Sequence, residues 1–195
     1  MTKIKYNKRL CPSCQKSDVI NNSKISSPEP SEELSFSINK KSWESIFSKK
    51  TKSFFSYYKC NICKITYAPE YFTNQQLNSL YKNVPANMDE VPKKILEKTQ
   101  YEYFKLLKKW TSLKGEYLEV GPDIGLFTQY CILYGKFNYY WLFEPNKFVL
   151  SELRNLLGQR KQKIYPAIEQ IDKVEDSKLS TVIIIHVLDH LLEPQ

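Results

Sequence analysis

Glycine and histidine are both scarce in this chain, with five of the first and two of the second among 195 residues. Low glycine beside 14 Tyr and 10 Phe excludes a low-complexity or disordered chain, which lacks the aromatic side chains a core requires. Long apolar runs are missing as well. The strongest, STVIIIHVLDHLL, is far too short to cross a bilayer and is broken by His and Asp, so no membrane span is expected. The N-terminal MTKIKYNKRLCPSC has no apolar signal core, which predicts a cytoplasmic protein. Neither the GxGxxG of dinucleotide binding nor the Gly-Lys-Ser/Thr of a P-loop occurs. Five cysteines in a cytoplasmic chain do not predict disulfides.

What is present falls into two parts. Residues 1–115 carry 21 Lys/Arg against 10 Asp/Glu, whereas residues 116–195 carry 8 against 11. A basic half attracts anionic partners when its charges cluster. Here the lysines are scattered, which reads as a solvated surface, and a nucleic-acid partner is not expected. The length allows one common-sized domain, or a small module with most of a larger one.

Four cysteines form two C-x-x-C pairs, CPSC (Cys11, Cys14) and CNIC (Cys60, Cys63). Each resembles a knuckle that aims two thiolates at one metal, and two knuckles complete a tetrahedral site of four cysteines. Four thiolates leave no position for water, so the zinc expected here is structural, replacing a core that this module is too small to build. A redox C-x-x-C would need a thioredoxin-like βαβ setting, which is absent. Forty-five residues separate Cys14 from Cys60. Their polar, Pro/Ser-rich start reads as an inserted loop over about 21–56, followed by a strand, KSFFSYYKC, leading into the second knuckle. The module is assigned to residues 1–72 and a helical linker or lid to 73–115. Within the linker, Thr73 or Asn74 caps a short helix. A longer one runs from about Val91 to Ser112, with Asp89 at its cap, Pro92 in its first turn, and an apolar face of Ile95, Leu96, Thr99, Tyr103, Leu106, Leu107 and Trp110. Cys131, alone among apolar residues, reads as a packed small hydrophobe.

From Glu116 to the end, strand and helix alternate. EYLEVG, NYYWLFEPN, KIYPAI and STVIIIHV read as strands, with helices over GLFTQYCILYG and KFVLSELRNLLG. The fold class is therefore α/β: a zinc-ribbon-like module followed by a partial Rossmann-like parallel sheet with helices on both faces. Ligands of such sheets bind at the carboxyl ends of strands, where the strand order reverses. The unusual residues gather at those ends. Glu119, Gly121, Asp123 and Gly125 alternate after the first strand, as if to keep a backbone bare for a ligand. Glu144, 25 residues after Glu119, ends the second strand, where an acid can accept both hydroxyls of a ribose. His186 ends the fourth, with Asp189 and His190 starting the next helix. His186 and His190 would share a face of a helix, but His186 ends a strand and no third ligand is evident, so HVLDH is not read as a metal site.

Taken in order, YLEVGPDIG, WLFEP and IIIHVLDHLLEP resemble the first, ribose-binding and fourth-strand motifs of class I S-adenosylmethionine-dependent methyltransferases. CPSC followed by YYKCNICKITYAPEYFTNQQLNSLY is similar to the zinc-binding segment of a bacterial branch of that superfamily, whose members methylate sugars, glycans or related small metabolites. The resemblance covers about residues 8–195 outside the loop. It implies an enzyme with S-adenosylmethionine as cofactor and a small-molecule or glycan acceptor. Gly121 and Gly125 would admit the methionine part of the cofactor, with Pro122 and Asp123 in the same loop. Glu119 would order that loop and reach the ammonium through water. Glu144, followed by Pro145, would bind the ribose, and Ala167 and Ile168 would border the adenine. His186 and Val187 would lie under the sulfonium, with His186 as the candidate catalytic acid or base. Asp123 departs from the family, which has a small residue there; it could cap the following helix or approach the ammonium. The family's sheet has seven strands, so the resemblance also implies a chain truncated after its fourth. Two rival classes use the same residues. One is a non-catalytic relative that binds only a cofactor or partner. The other is a zinc-ribbon nucleic-acid binder, against which stands the absence of aromatics interleaved with Arg, only Arg9 lying near a knuckle.

Overall fold

The computed structural model describes residues 7–16, 20–26, 56–83, 91–175, 178–192 and 194. They belong to two compact units, Met1–Tyr81 with Leu188–Gln195, and Lys82–Val187.

Small antiparallel sheets build the first unit. Strand β1 (Asn7–Lys8) pairs with β5 (Glu70–Tyr71), while β3 (Ser56–Cys60) lies between β2 (Ile20–Ser26) and β4 (Thr66–Tyr67). The loop expected over 21–56 is therefore partly strand: INNSKIS forms β2, with Ile20 opposite Cys60 and Ser26 opposite Ser56. Main-chain ladder bonds hold a strand whose sequence shows no apolar alternation. Residues 27–55, the rest of that expected loop, lie outside the described residues, as does Asp89. Helix α1 (Asn74–Asn83) begins with a reciprocal capping box. The Gln76 N–H donates to Thr73 Oγ1 (3.2 Å), and the Thr73 N–H donates to Gln76 Oε1 (2.8 Å), so Thr73 is the cap. Leu77 then packs with Ala68 and Phe72 in a small core. The Arg9 guanidinium lies 4.3 Å from the centre of the Tyr71 ring and its Nε donates to the Ala68 carbonyl, which ties β1 to that core.

The second unit starts with α2 (Lys93–Trp110), followed by β6 (Lys114–Val120), α3 (Leu126–Tyr134), β7 (Lys136–Phe143), α4 (Leu150–Leu157), β8 (Gln162–Tyr165), a 3-10 helix (Ile168–Lys173) and β9 (Leu179–Ile184). The four strands form a parallel sheet in the order β8-β7-β6-β9. Their carboxyl ends stand in one row, since Val120 pairs with Phe143 and Ile184, and Phe143 with Tyr165. The order reverses at β6, between β7 and β9, which is where an α/β sheet opens its ligand crevice.

Alternation along the strands sends Tyr117, Tyr140, Leu142 and Ile183 to one face, where they meet Phe104 of α2, Phe127 and Cys131 of α3, and Leu153 and Leu157 of α4. Cys131 is fully buried there, as its apolar surroundings predict. Leu118, Val120, Phe143 and Tyr165 form the opposite cluster, closed by Ile168, Val174 and Val187 rather than by an α-helix. The expected helices thus all pack on one face among the described residues. Among the described residues, strand β9 forms an edge of the sheet, and its Val182 and Ile184 are exposed.

Helix α2 also differs from expectation. Pro92 occupies its N-cap position, and its buried residues are Gln100 and Phe104, flanked by Tyr103 and Leu107. Ile95 and Leu106 are exposed, and Trp110 is 74% exposed. The apolar residues of α2 span more of its circumference than the sheet covers, and Phe104, between Phe127 and Tyr130, selects the buried side.

Gly125 links α3 to α4. It caps α3 at φ 78°, and a Cβ there would lie 2.7 Å from Leu156 Cδ2 and 2.8 Å from Leu153 Cδ2. Left-handed backbone and overpacking together predict that Gly125→Ala costs about 2–4 kcal/mol. Urea unfolding measures this, and a loss below about 1 kcal/mol would show that α4 yields freely.

Candidate functional site

The first unit brings the four predicted cysteines together. Their Sγ atoms all lie within 4.8 Å of one another, with Cys11–Cys63 and Cys14–Cys60 each at 3.5 Å. A tetrahedral set about 2.3 Å from one centre has edges of about 3.8 Å, so the cluster has the dimensions of a zinc site. The two knuckles are built alike. The Gln15 N–H donates to the Cys11 carbonyl and the Lys64 N–H to the Cys60 carbonyl, and both donors are left-handed, at φ 55° and 64°. Backbone N–H groups of Cys63 and Ile62 pull the Cys60 thiol down to about 6, against the effect of burial. Burial pushes Cys11 up to about 12, with the neighbouring thiols adding to it. Metal binding would take up the thiolate forms of these four sulfurs, so the cluster is a candidate metal site.

In the second unit, β6 stops at Val120 and the next residues turn sharply. Gly121, Asp123 and Gly125 are left-handed, at φ 69°, 51° and 78°, so the alternation seen in the sequence is an alternation of backbone hand. The Gly121 N–H donates to the Phe143 carbonyl and the Gly125 N–H to that of the buried Pro122. A Cβ on Gly121 would lie 2.7 Å from Val187 Cγ2, so the chain after β6 touches the chain after β9 just beyond the strand ends. Both glycines are therefore required by the chain's own conformation and packing. Asp123 is tolerated because Asp is among the few residues with a side chain that adopt this hand. It does not cap α3: Gly125 holds the cap position and no side chain caps that helix.

Two acids anchor this turn. Glu144 is 5% exposed; its Oε2 accepts the Asp123 N–H at 2.9 Å and its Oε1 the Asn146 N–H at 2.8 Å. Glu119 is 3% exposed, and its Oε2 accepts both the Tyr117 hydroxyl (2.5 Å) and the Thr128 hydroxyl. Burial raises both carboxyls to about 7. The donors oppose that rise in each case, while the charge of Glu144 adds to it at Glu119, and that of Asp123 at Glu144. Ile168 and Val187 each pack against the cluster that holds Val120 and Phe143. Pro145 and Ala167, both half-buried, follow the ends of β7 and β8. His186 lies two residues past β9, exposed and left-handed at φ 53°. Asp189 and His190 belong to a 3-10 turn, Leu188–His190.

Sequence reasoning missed Tyr117, Thr128 and Asn146. Tyr117 could have been found, since it stands two residues before Glu119 on the same strand face. Asn146 is an Asx turn after an acidic strand end, its Oδ1 accepting the Phe148 N–H.

No protein-family model and no curated protein matches this sequence. Among solved structures, the chain is similar to a SAM-dependent methyltransferase of Leishmania major, with 16% identity and a TM-score of 0.48 over 60% of this chain and 49% of that one. The chain thus spans about half the length of that protein.

The buried acids set a pH dependence of stability. A carboxyl at about 7 when folded and about 4.3 when unfolded binds more protons in the folded state, so stability falls as pH rises from about 4.5 to 7 and stays reduced above. Glu119→Gln removes one such group. Its stability relative to the wild type should rise by about 2 kcal/mol between about pH 5 and pH 8, as read by urea unfolding at each pH. A difference that stays flat over this range would refute the buried-carboxyl assignment.

Proposed function

We propose that this chain binds S-adenosylmethionine at the turn after β6 and serves methyl transfer to a sugar, a glycan precursor or a related small metabolite. A zinc ion held by Cys11, Cys14, Cys60 and Cys63 supports the fold of the first unit. The observation that carries the reading is the left-handed turn 121–125 at the reversal of strand order, joined by hydrogen bond to a buried acid at the end of the neighbouring strand. Motif resemblance selects the ligand.

In this reading Glu144 holds the ribose. Each of its oxygens accepts one N–H and keeps capacity for a hydroxyl donor. Ile168 and Ala167 border the adenine, and Val187 brings His186 to the acceptor side. Glu119 fixes the strand end through Tyr117 and Thr128. Glu119, Asp123 and Glu144 surround the turn with acidic groups, which favours a cationic ligand. The bound cofactor supplies a methyl group already activated on a sulfonium. The protein's own contribution is alignment and exclusion of water.

Calorimetric titration with S-adenosylhomocysteine tests the cofactor assignment. We expect binding by the wild type and at least about tenfold weaker binding by Glu144→Ala, the loss of a charge-assisted hydrogen bond. A folded, zinc-loaded chain that gives no heat, or a variant that binds equally well, would sink the assignment. Mass spectrometry of acceptor panels then separates an enzyme from a relative that only binds. For the metal, elemental analysis should give one zinc per chain, and Cys60→Ser should lose it together with the fold of the first unit. A metal-free chain with unchanged circular dichroism and thermal stability would contradict a structural zinc.

A further inference from the structure

Tyr103 of α2 and His186 after β9, 83 residues apart, form a hydrogen-bonded pair. The Tyr103 hydroxyl oxygen lies 3.0 Å from His186 Nε2, with ring centroids 5.9 Å apart and planes inclined at 58°. His186 holds a left-handed backbone, a conformation strained for a residue with a Cβ that persists where its surroundings fix it. A Cβ on Gly121 would meet the next residue, Val187, so the backbone that carries His186 adjoins the turn proposed to hold the cofactor. Its other nitrogen, Nδ1, has no partner among the described residues. Of the acids near the turn, Glu119 accepts two hydroxyls on one oxygen, and Glu144 accepts one backbone N–H on each oxygen. With Nε2 bonded to Tyr103, Nδ1 is the ring nitrogen of His186 left for a ligand.

We propose that Tyr103 is a positioning residue: its oxygen accepts the His186 Nε2–H, leaving Nδ1 to take the proton of a hydroxyl group on the methyl acceptor. This rests on the methyl-transfer reading and narrows it to O-methylation. A base is required at a weakly acidic hydroxyl, such as that of a sugar, and not at a nucleophile that reacts unprotonated. As the acceptor oxygen bonds to the methyl carbon, the S–C electron pair stays on sulfur and leaves a neutral thioether. The hydroxyl proton passes to Nδ1, so the positive charge moves from sulfur to an imidazolium whose Nε2–H remains bonded to Tyr103. Which ring nitrogen carries the resting proton is set by the bond the other nitrogen makes, so Tyr103 decides whether His186 can serve as a base.

The experiment is long-range 1H–15N NMR on the full chain labelled in histidine. There are only two histidines, and His190→Gln identifies their signals. We expect neutral wild-type His186 as the Nε2–H tautomer, and Tyr103→Phe to give a mixture of tautomers. A wild-type Nδ1–H tautomer overturns the proposal without any variant, and so does a His186 signal unmoved by Tyr103→Phe. In turnover, Tyr103→Phe should lower kcat about tenfold or more while S-adenosylhomocysteine affinity stays within about twofold, the split expected of a group acting on the proton transfer. If the wild type does not bind S-adenosylhomocysteine, the methyl-transfer reading fails and takes the acceptor role of His186 with it. Binding with the wrong tautomer spares that reading and removes the Tyr103 assignment alone.

Discussion

Two carboxyl groups, Glu119 and Glu144, lie out of water at the ends of adjacent parallel strands, and the geometry around them follows from their need for donors. Glu119 recruits hydroxyls from its own strand and from α3, which ties the helix to the sheet. Glu144 recruits two backbone N–H groups, one on the turn after β6 and one after β7. The Asp123 N–H reaches it from a left-handed backbone. Neutralising one acid would leave its donors in place, whereas removing a side chain would orphan two donors at once.

Among the described residues, left-handed backbone recurs at several sharp turns, and some of these residues are not glycine. Gln15 and Lys64 follow the second cysteine of each knuckle, Asp123 sits in the turn after β6, and His186 follows β9. Their backbone cost is met by different means. In the knuckles it is set against closure of the sulfur cluster, in the turn against the hydrogen bond to Glu144, and at His186 against the bond to Tyr103.

The sheet was legible in the sequence because its strands are short apolar runs cut off by Gly, Pro or a charge, as in YLEVG and WLFEP. The cysteine pairs were legible because C-x-x-C has one local geometry. Strand β2 was hidden, since INNSKIS is held by main-chain bonds that leave no trace in side-chain pattern. The buried side of α2 was hidden for the opposite reason. Its apolar residues are too many, so Ile95 and Trp110 read like core until packing around Phe104 excludes them. The pairing of Tyr103 with His186 had no local signal at all. Alternate glycines and acids after β6 were visible, but their meaning changed, from a backbone left bare to a backbone of alternating hand that the protein's own contacts demand.

The outer edge of β9 has a consequence for handling the protein. Among the described residues β9 pairs only with β6, and LSTVII carries no charge along its length. An uncharged, apolar edge of this kind is a template on which a further strand can add. The chain's formal charge of +8 offers little protection there, because at physiological salt a charge acts over about 8 Å.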